Sequence, residues 1–265
     1  MVSGEIHTIT KDDADLIIKF IGDALEGSGC EGLIVGASGG IDSAVTAKLC
    51  ADAVGPERVM NVFMPSAVTP SSDLDLTMSL SRLWGTRYEC IGIQPAVDAF
   101  AGMLSLAADD RLGIGNISSR CRMTVLYNRA RDMNYLVAGT SNRSECMMGY
   151  FTKFGDGASD ILPIADLYKT QVRQIAKLIG VPRDIVEKVP TAGLWTGQTD
   201  ESEMGITYND LDIILNGINL GRSDTDMADR TGICIMRISE IRERVGRMRH
   251  KILPAMRPDV AFNGP

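Results

Sequence analysis

Short, largely apolar runs alternate with segments of helical periodicity in the first half of the chain, and this alternation limits the available folds. Short apolar runs are typical of strands that are buried on both faces of a sheet. Four strands are predicted, at residues 32–36, 58–64, 87–93 and 135–139. Strands that alternate with helices form a mainly parallel sheet, so the sequence predicts an α/β fold with a doubly wound sheet.

Helices are predicted between these strands and on both sides of them. The first is capped by Thr10 and is predicted to end at Gly27. Further helices are predicted at residues 42–54, 71–83, 96–106, 118–133, 166–180 and 237–249, with a short helix that starts at Val181. Residues 190–204 are predicted to be irregular. No repeat or interdomain linker interrupts the pattern, so residues 1–265 are interpreted as a single domain.

Composition excludes several classes of protein. The 34 acidic and 27 basic side chains give a net charge of −7, which argues against a protein that binds nucleic acid through its phosphates. The 2 histidines and 6 cysteines, without a CxxC pair, do not provide zinc-site spacing, and the isolated cysteines are predicted to be small core residues. We find neither a signal peptide nor an apolar run of about 20 residues, which predicts a cytoplasmic protein without a membrane partner.

A glycine-rich turn follows the first predicted strand, where residues 36–43 read Gly-Ala-Ser-Gly-Gly-Ile-Asp-Ser. Glycines let backbone N–H groups approach phosphate oxygens, and a helix N-terminus adds partial positive charge. The spacing fits neither a dinucleotide fingerprint nor a Walker A loop. Asp42 would repel a polyphosphate unless a divalent cation lay between them, so it predicts magnesium. A plain tight turn with Asp42 as a helix-capping residue is the alternative.

The string Ser-Gly-Gly-Ile-Asp-Ser at residues 38–43 resembles the pyrophosphatase loop of the N-type ATP pyrophosphatases. Members of that superfamily adenylate a carboxylate or carbonyl oxygen and release pyrophosphate, and a nitrogen or sulfur nucleophile then displaces AMP. The resemblance implies a Rossmann-like fold of the adenine nucleotide alpha-hydrolase type. It implies ATP chemistry but does not identify the acceptor.

The second half of the chain resembles the ammonia-dependent NAD synthetase family. The resemblance is carried by residues 136–145, 149–160 and 163–173, and by residues between Thr191 and Tyr208. It implies a carbon–nitrogen ligase of NAD biosynthesis that amidates deamido-NAD (nicotinic acid adenine dinucleotide) with free ammonia. ATP is the co-substrate, and the products are NAD, AMP and pyrophosphate, formed through an adenylated carboxylate.

The resemblance also implies roles for individual residues. The implied ATP-binding residues are Gly36, Ala37, Ser38, Gly39, Gly40, Ile41, Asp42, Ser43, Thr140, Lys169 and Thr191. The implied magnesium ligands are Asp42 and Glu145, and the implied deamido-NAD contacts are Arg120, Lys153, Asp160, His250 and Lys251. Asp156 and Lys169 are the implied catalytic residues, with Asp156 near the expected entry of ammonia. A homodimer with the dinucleotide site at its interface is also implied.

Several of these residues have simpler explanations. Glu145 fits a solvated helix position, Lys153 a surface hairpin and Asp160 a turn, while the pair His250–Lys251 could end a basic helix. Ser118 and Ser119 stand where the family usually has a basic and a small residue.

Three rival functions are disfavoured by the residues present. The Phe-Thr-Lys-Phe-Gly-Asp-Gly segment at 151–157 argues against a GMP synthetase subunit, and a tRNA-thiolating enzyme would need paired catalytic cysteines and a basic surface. A non-catalytic nucleotide-sensing module would not need Asp42 and Glu145 together with Lys169 and Thr191. No glutaminase domain is expected in a chain of 265 residues, so free ammonia is the predicted nitrogen source, and a separate glutaminase partner stays open.

Overall fold

The centre of the fold is a parallel sheet of four strands in the order β3–β2–β1–β4. The computed structural model describes residues 5–195 and 197–255. The strands are β1 (Gly32–Ala37), β2 (Val59–Phe63), β3 (Arg87–Cys90) and β4 (Tyr135–Ala138). Val35 of β1 pairs with Asn61 of β2 on one side and with Ala138 of β4 on the other. The loops that follow β1, β2 and β4 therefore meet at one edge of the sheet.

Helices surround this sheet and continue beyond it to the C-terminal part of the described chain. They are α1 (Lys11–Ser28), α2 (Ile41–Val54), α3 (Ser71–Trp84), α4 (Gln94–Met103), α5 (Arg111–Met133), α6 (Arg143–Met148), α7 (Lys169–Leu178), α8 (Arg183–Val186), α9 (Asp200–Met204), α10 (Tyr208–Asn219), α11 (Asp224–Thr231) and α12 (Ile235–Met248). Short 3₁₀ turns occupy Pro56–Arg58 and Arg249–Lys251. No helix within the described ranges is both long and apolar enough to span a bilayer.

The two faces of the sheet are covered by different helices, because successive strand residues point to opposite sides. Leu33 and Val35 pack in a core with α1, α2 and α7. Ile34, between them, packs on the other side with residues of α4 and α5. This arrangement confirms the predicted doubly wound sheet. A third core joins α6 to α10, α11 and α12.

The first-half predictions are confirmed in type, with corrections at the ends of elements. Thr10 caps α1 in a capping box with Asp13, but α1 continues past Gly27 to Ser28, and Gly29 with a φ of 71° is the left-handed C-cap. β3 ends at Cys90, although Ile91 N still donates to Phe63 O. α5 starts at Arg111 and not at 118, since the side chain of Asp110 caps it by accepting from Gly113 N.

The second-half predictions need larger corrections. The helix predicted at 166–180 covers only Lys169–Leu178, because the backbone before Lys169 is extended. The predicted irregular segment 190–204 contains α9, which Thr199 caps. Helices α6, α10 and α11 were not predicted from the apolar pattern. α12 starts two residues earlier than predicted, at Ile235.

The cysteines only partly fit the core prediction. All six are free, and Cys50 and Cys121 are buried as predicted. Cys90 and Cys234 are exposed, so the prediction was wrong for these two, while Cys30 and Cys146 are half-buried. Burial raises the pKa of the Cys50 thiol to about 12.

Alkylation at pH 8 should separate these classes. We expect iodoacetamide to label Cys90 and Cys234 in the native protein, because the thiolate is the reacting species and both side chains are accessible. Cys50 and Cys121 should be labelled only after unfolding in denaturant. Peptide mass spectrometry measures the labelling, and rapid native labelling of Cys50 would contradict this core packing.

Candidate active site

A cavity of about 550 Å³ opens at the edge of the sheet where β1, β2 and β4 end. Its walls include Ala37 from the end of β1, Phe63 from the end of β2 and Ala138 from the end of β4. From β1 the chain adds β2 and β3 on one side of the sheet and later adds β4 on the other side, so the strand order reverses direction at β1. In open α/β sheets ligands bind at such a point.

The glycine loop between β1 and α2 forms one wall of this cavity. Gly39 has a φ of 74°, a conformation that favours glycine. The loop is closed on itself, since Ser38 N donates to Ser43 Oγ (3.2 Å) and Ser43 Oγ donates to Gly40 O (3.0 Å). Gly40 is the N-cap of α2 and provides no side-chain cap. N–H groups of the first turn of α2 are thus available to an anionic ligand.

Lys169 lies between the two predicted magnesium ligands. Its Nζ donates to Asp42 Oδ2 (2.5 Å) and to Glu145 Oε1 (3.1 Å), and its side chain is only 2% exposed. Burial alone would lower the pKa of Lys169, but the two carboxylates outweigh burial and hold its pKa above the usual value. Burial raises the pKa of Glu145, and the Lys169 ammonium acts in the opposite direction. The three residues form a charge cluster in which the ammonium group is buried and the carboxylates of Asp42 and Glu145 are only 18% and 16% exposed.

Asn142 completes this cluster, and sequence reasoning gave it no role. Its Nδ2 donates to Asp42 Oδ1 (2.9 Å), and its Oδ1 accepts from Glu145 N (3.0 Å) as the N-cap of α6. Glu145 Oε2 accepts in turn from Asn142 N (3.4 Å). The Asn-Arg-Ser-Glu spacing of a capping box was the sequence signal that could have identified it.

Asp212 of α10 holds the starts of two helices that carry the charge cluster. Its Oδ1 accepts from Ser144 Oγ (2.5 Å), and its Oδ2 accepts from Thr170 N (2.8 Å). Ser144 Oγ also accepts from Lys169 N (3.0 Å). Asp212 is fully buried, and burial raises the pKa of its carboxyl. No motif in the sequence signals this long-range contact.

Asp200 is a second carboxylate on the cavity wall that sequence reasoning left without a role. It is 3% exposed, and its Oδ2 accepts from Tyr208 Oη (3.0 Å). Its Oδ1 is buried without a hydrogen-bond partner. Burial raises the pKa of Asp200, while the nearby Lys169 ammonium lowers it.

Asp156 lies on the cavity wall that faces α5. Its Oδ1 accepts from Ser119 Oγ (2.5 Å) and from Thr152 N (2.9 Å). Asp156 N donates back to Ser119 Oγ (3.0 Å). Ser119, noted above as a departure from the family pattern, therefore fixes the position of this carboxylate. Arg122, one turn further along α5, also lines the cavity and donates from Nε to Met64 O (3.1 Å).

The predicted ATP-binding residues come together at the cavity, whereas the predicted dinucleotide contacts do so only in part. Thr140, Lys169, Thr191 and Lys251 all line the cavity. Four predicted residues do not line it, namely Arg120, Lys153, Asp160 and His250. Among the ATP set, Gly39 is also absent from the cavity wall, because it packs against Asp73.

Three of the predicted dinucleotide contacts, Arg120, Lys153 and His250, are linked by hydrogen bonds, and a fourth, Lys251, follows His250 in the chain. Lys153 Nζ donates to His250 O (2.7 Å), and Arg120 Nη2 donates to Lys153 O (3.4 Å). Lys251 Nζ donates to Gly149 O (2.5 Å) and to Phe151 O. Asp160 is held elsewhere, by Val137 N (2.8 Å) and Tyr127 Oη (3.3 Å).

Replacing Lys169 should show how much the free energy of unfolding depends on the buried charge cluster. Lys169→Met leaves two buried carboxylates without their cation, so we expect a loss of about 3–5 kcal/mol in the free energy of unfolding at pH 7. The loss should shrink as the pH falls, because the Glu145 carboxyl, whose pKa is raised by burial, becomes neutral by taking up a proton. Urea unfolding at several pH values measures both effects.

Two further variants control this experiment. Adding Glu145→Gln to Lys169→Met should restore part of the stability, since one buried charge is removed. Lys177→Met, at an exposed position of the same helix, should change stability by no more than about 0.5 kcal/mol. Equal losses for Lys169→Met and Lys177→Met would contradict the buried cluster.

Comparisons with known proteins agree with this geometry. The chain matches the NAD synthase family over residues 14–255. It is 46% identical over 238 residues to an NH(3)-dependent NAD(+) synthetase of Thermococcus kodakarensis, covering 89% of this chain and 92% of the relative. The similar enzyme of Methanococcoides burtonii is 43% identical over 238 residues, with 89% and 90% covered.

Solved structures agree with the sequence relatives. An NMN synthetase from Francisella tularensis superposes with a TM-score of 0.82 at 35% identity, covering 94% of this chain and 98% of that one. The NH3-dependent NAD synthetase of Campylobacter jejuni superposes with a TM-score of 0.78 at 27% identity, with 94% and 98% covered. With its parallel sheet, glycine loop and buried charge cluster, the chain belongs to the NAD synthase family.

Proposed function

We propose that this protein is an ATP-dependent ligase that amidates deamido-NAD with free ammonia, producing NAD, AMP and pyrophosphate. The observation that carries the proposal is the buried cluster of Lys169, Asp42 and Glu145 beside the glycine loop, in a chain of the NAD synthase family. A module that only senses a nucleotide has no need to bury three charges at its phosphate site.

ATP would bind with its phosphates on the glycine loop and the first turn of α2. Backbone N–H groups of residues 38–43 and the hydroxyls of Ser38 and Ser43 are the donors for this contact. Thr140 and Thr191 approach the same cavity from β4 and from the loop after α8. Lys169 lies where it can offset negative charge on the departing pyrophosphate.

The donor set fits a magnesium ion that binds together with ATP. Asp42 Oδ2 and Glu145 Oε1 both accept from Lys169 Nζ, so the two carboxylates converge beside the glycine loop. Within residues 5–195 and 197–255 no group of three or more Asp, Glu, His or Cys side chains could hold a metal. Magnesium commonly takes one or two protein carboxylates and completes its shell with phosphate oxygens and water. When bound, the ion would neutralise charge on the transferring phosphate groups.

The reaction proceeds in two steps in this proposal. A carboxylate oxygen of the nicotinate attacks the α-phosphorus of ATP, and the bond to the β-phosphate breaks to release pyrophosphate. Ammonia then attacks the carbonyl carbon of the adenylate, and AMP leaves with the electron pair of the carbon–oxygen bond. Neither step needs a protein nucleophile. Asp156 is the carboxylate we assign to hold ammonium and accept its proton, because it lines the cavity with one oxygen fixed by Ser119.

We assign Arg120, Lys153, Asp160, His250 and Lys251 to the dinucleotide, in a homodimer. Exposed apolar side chains around the end of α4 support an interface, since Phe100, Met103, Leu104 and Leu112 are exposed by 47%, 70%, 57% and 64%. In such a dimer residues outside the cavity of their own chain can face the partner's substrate.

A mononucleotide is the second candidate substrate. The Francisella tularensis protein of similar structure is an NMN synthetase. The amidation chemistry at the nicotinate ring would be the same for both substrates. With a mononucleotide, the residues assigned to the second nucleotide would have no ligand group to contact. Lys251 on the cavity wall and the linked Arg120, Lys153 and His250 favour the longer dinucleotide.

An assay of the purified protein distinguishes these substrates. With ATP, magnesium and ammonium, we expect AMP, pyrophosphate and NAD in equal amounts from deamido-NAD. The value of kcat/KM should be at least about tenfold higher for deamido-NAD than for nicotinic acid mononucleotide, the effect of losing about 1.4 kcal/mol of contacts. Removal of magnesium by a chelator should stop all product formation. Pyrophosphate release that does not depend on deamido-NAD would reject the proposal.

The role of Asp156 is tested through ammonium. We expect Asp156→Asn to lower kcat/KM for ammonium by about 100-fold, the usual effect of removing a general base. Asp229→Asn, at an exposed carboxylate on α11, is the matched control and should behave as the unmodified protein. Unchanged kcat/KM for ammonium in Asp156→Asn would remove this residue from the second step.

A further inference from the structure

Lys188 contacts the glycine loop from the segment that follows α8, and none of the roles assigned above uses it. Its Nζ donates to Gly39 O (3.0 Å) and to Asp73 Oδ1 (2.6 Å). The side chains of Lys188 and Asp73 are 27% and 12% exposed, so water only partly screens the pair. Three separate parts of the chain therefore meet at one ammonium group.

The contact determines which way the Gly39–Gly40 peptide faces. A trans peptide is planar, and its C=O and N–H point in opposite directions. Because Gly39 O is turned toward Lys188, Gly40 N–H points away from it and donates to Ser38 Oγ (3.2 Å). Ser38 and Gly40 line the cavity, whereas Gly39 does not. Lys188 and Asp73 also line the cavity, so the ammonium group lies beside the loop at the cavity wall, and its bond to Gly39 O leaves the Gly40 N–H on the side of Ser38.

Asp73 supports this contact from the first turn of α3. It is 8% exposed and packs directly against the glycine loop. A Cβ built on Gly39 would lie 3.3 Å from Asp73 Cβ, and Gly39 also has a φ of 74°. Glycine at position 39 therefore permits both the loop conformation and the close approach of Asp73. Asp73 in turn keeps the Lys188 ammonium within reach of Gly39 O.

We propose that Lys188, held by Asp73, is a positioning residue for the phosphates of ATP. It fixes the Gly39–Gly40 peptide with its N–H toward the cavity. It also anchors the segment that leads to Thr191, three residues further along the chain. This inference rests on the proposed role of the glycine loop in phosphate binding.

Direct binding measurements test the inference without requiring catalysis. Calorimetric titration with ATP, inorganic pyrophosphate and adenosine, in the presence of magnesium, would compare the unmodified protein with four variants. We expect Lys188→Met to weaken ATP and pyrophosphate binding by about tenfold or more, because it removes a charge-assisted hydrogen bond to Gly39 O. Adenosine binding should not change, because adenosine has no phosphate.

The other three variants distinguish positioning from a general loss of structure. Lys188→Arg keeps a cation that can donate to Asp73 and Gly39 O, so it should recover much of the pyrophosphate affinity. Lys177→Met removes an exposed lysine and should bind all three ligands as the unmodified protein does. Adding Asp73→Asn to Lys188→Met should cause little further loss, since both residues act through one contact.

Two results would overturn the inference. One is an unchanged pyrophosphate affinity in Lys188→Met, whatever happens to its melting temperature. The other is an equal loss of adenosine and pyrophosphate binding, which would indicate a disturbed cavity. Failure of the proposed amidation looks different, because phosphate binding would then respond to Lys188→Met as expected while deamido-NAD yields no NAD.

Discussion

A buried ammonium group between two carboxylates is the interaction on which the rest of the site depends. Removing the charges of Lys169, Asp42 and Glu145 from water is costly, and the cost is offset only while all three stay in contact. The contact requires the starts of α2, α6 and α7 to converge at one edge of the sheet. The fold supplies that convergence by pairing β1 with β4 in parallel, so that the loops after both strands leave on the same side.

The same constraint explains why the site is assembled mainly from helix starts. Asp42 lies in the first turn of α2, Glu145 in the first turn of α6, and Lys169 is the first residue of α7. Near a helix start a carboxylate interacts favourably with unpaired N–H groups, and the loop before the start can adopt the conformation that a ligand needs. The carboxylates of Asp42 and Glu145 can therefore lie beside a polyphosphate site at a lower electrostatic cost than they would at helix C-termini.

The first-half fold could be predicted from the sequence because its signals are local. Apolar runs marked the four strands, and the Gly-Gly pair before Asp42 marked the turn where the phosphates are expected. The resemblance to a known family supplied Glu145 and Lys169, which no local pattern connects to Asp42.

What sequence reasoning missed depends on contacts between distant segments. Asp212 lies 42 residues from Thr170, and Lys188 lies 149 residues from Gly39. Helices α6, α10 and α11 were missed for a related reason, since they bury their apolar faces against one another rather than against the sheet.

That separate packing has a consequence for cooperativity. The C-terminal helical layer has its own core, but it holds the catalytic edge of the sheet through the hydrogen bonds of Asp212 to Ser144 and Thr170. Proteins open in cooperative units, each with its own free energy of opening. If α10 and its neighbours open as such a unit, α6 and α7 lose the anchor at their starts while both cores of the sheet remain folded. Catalytic competence would then depend on the stability of this layer alone, and the stability of the whole would overstate the lifetime of the active form.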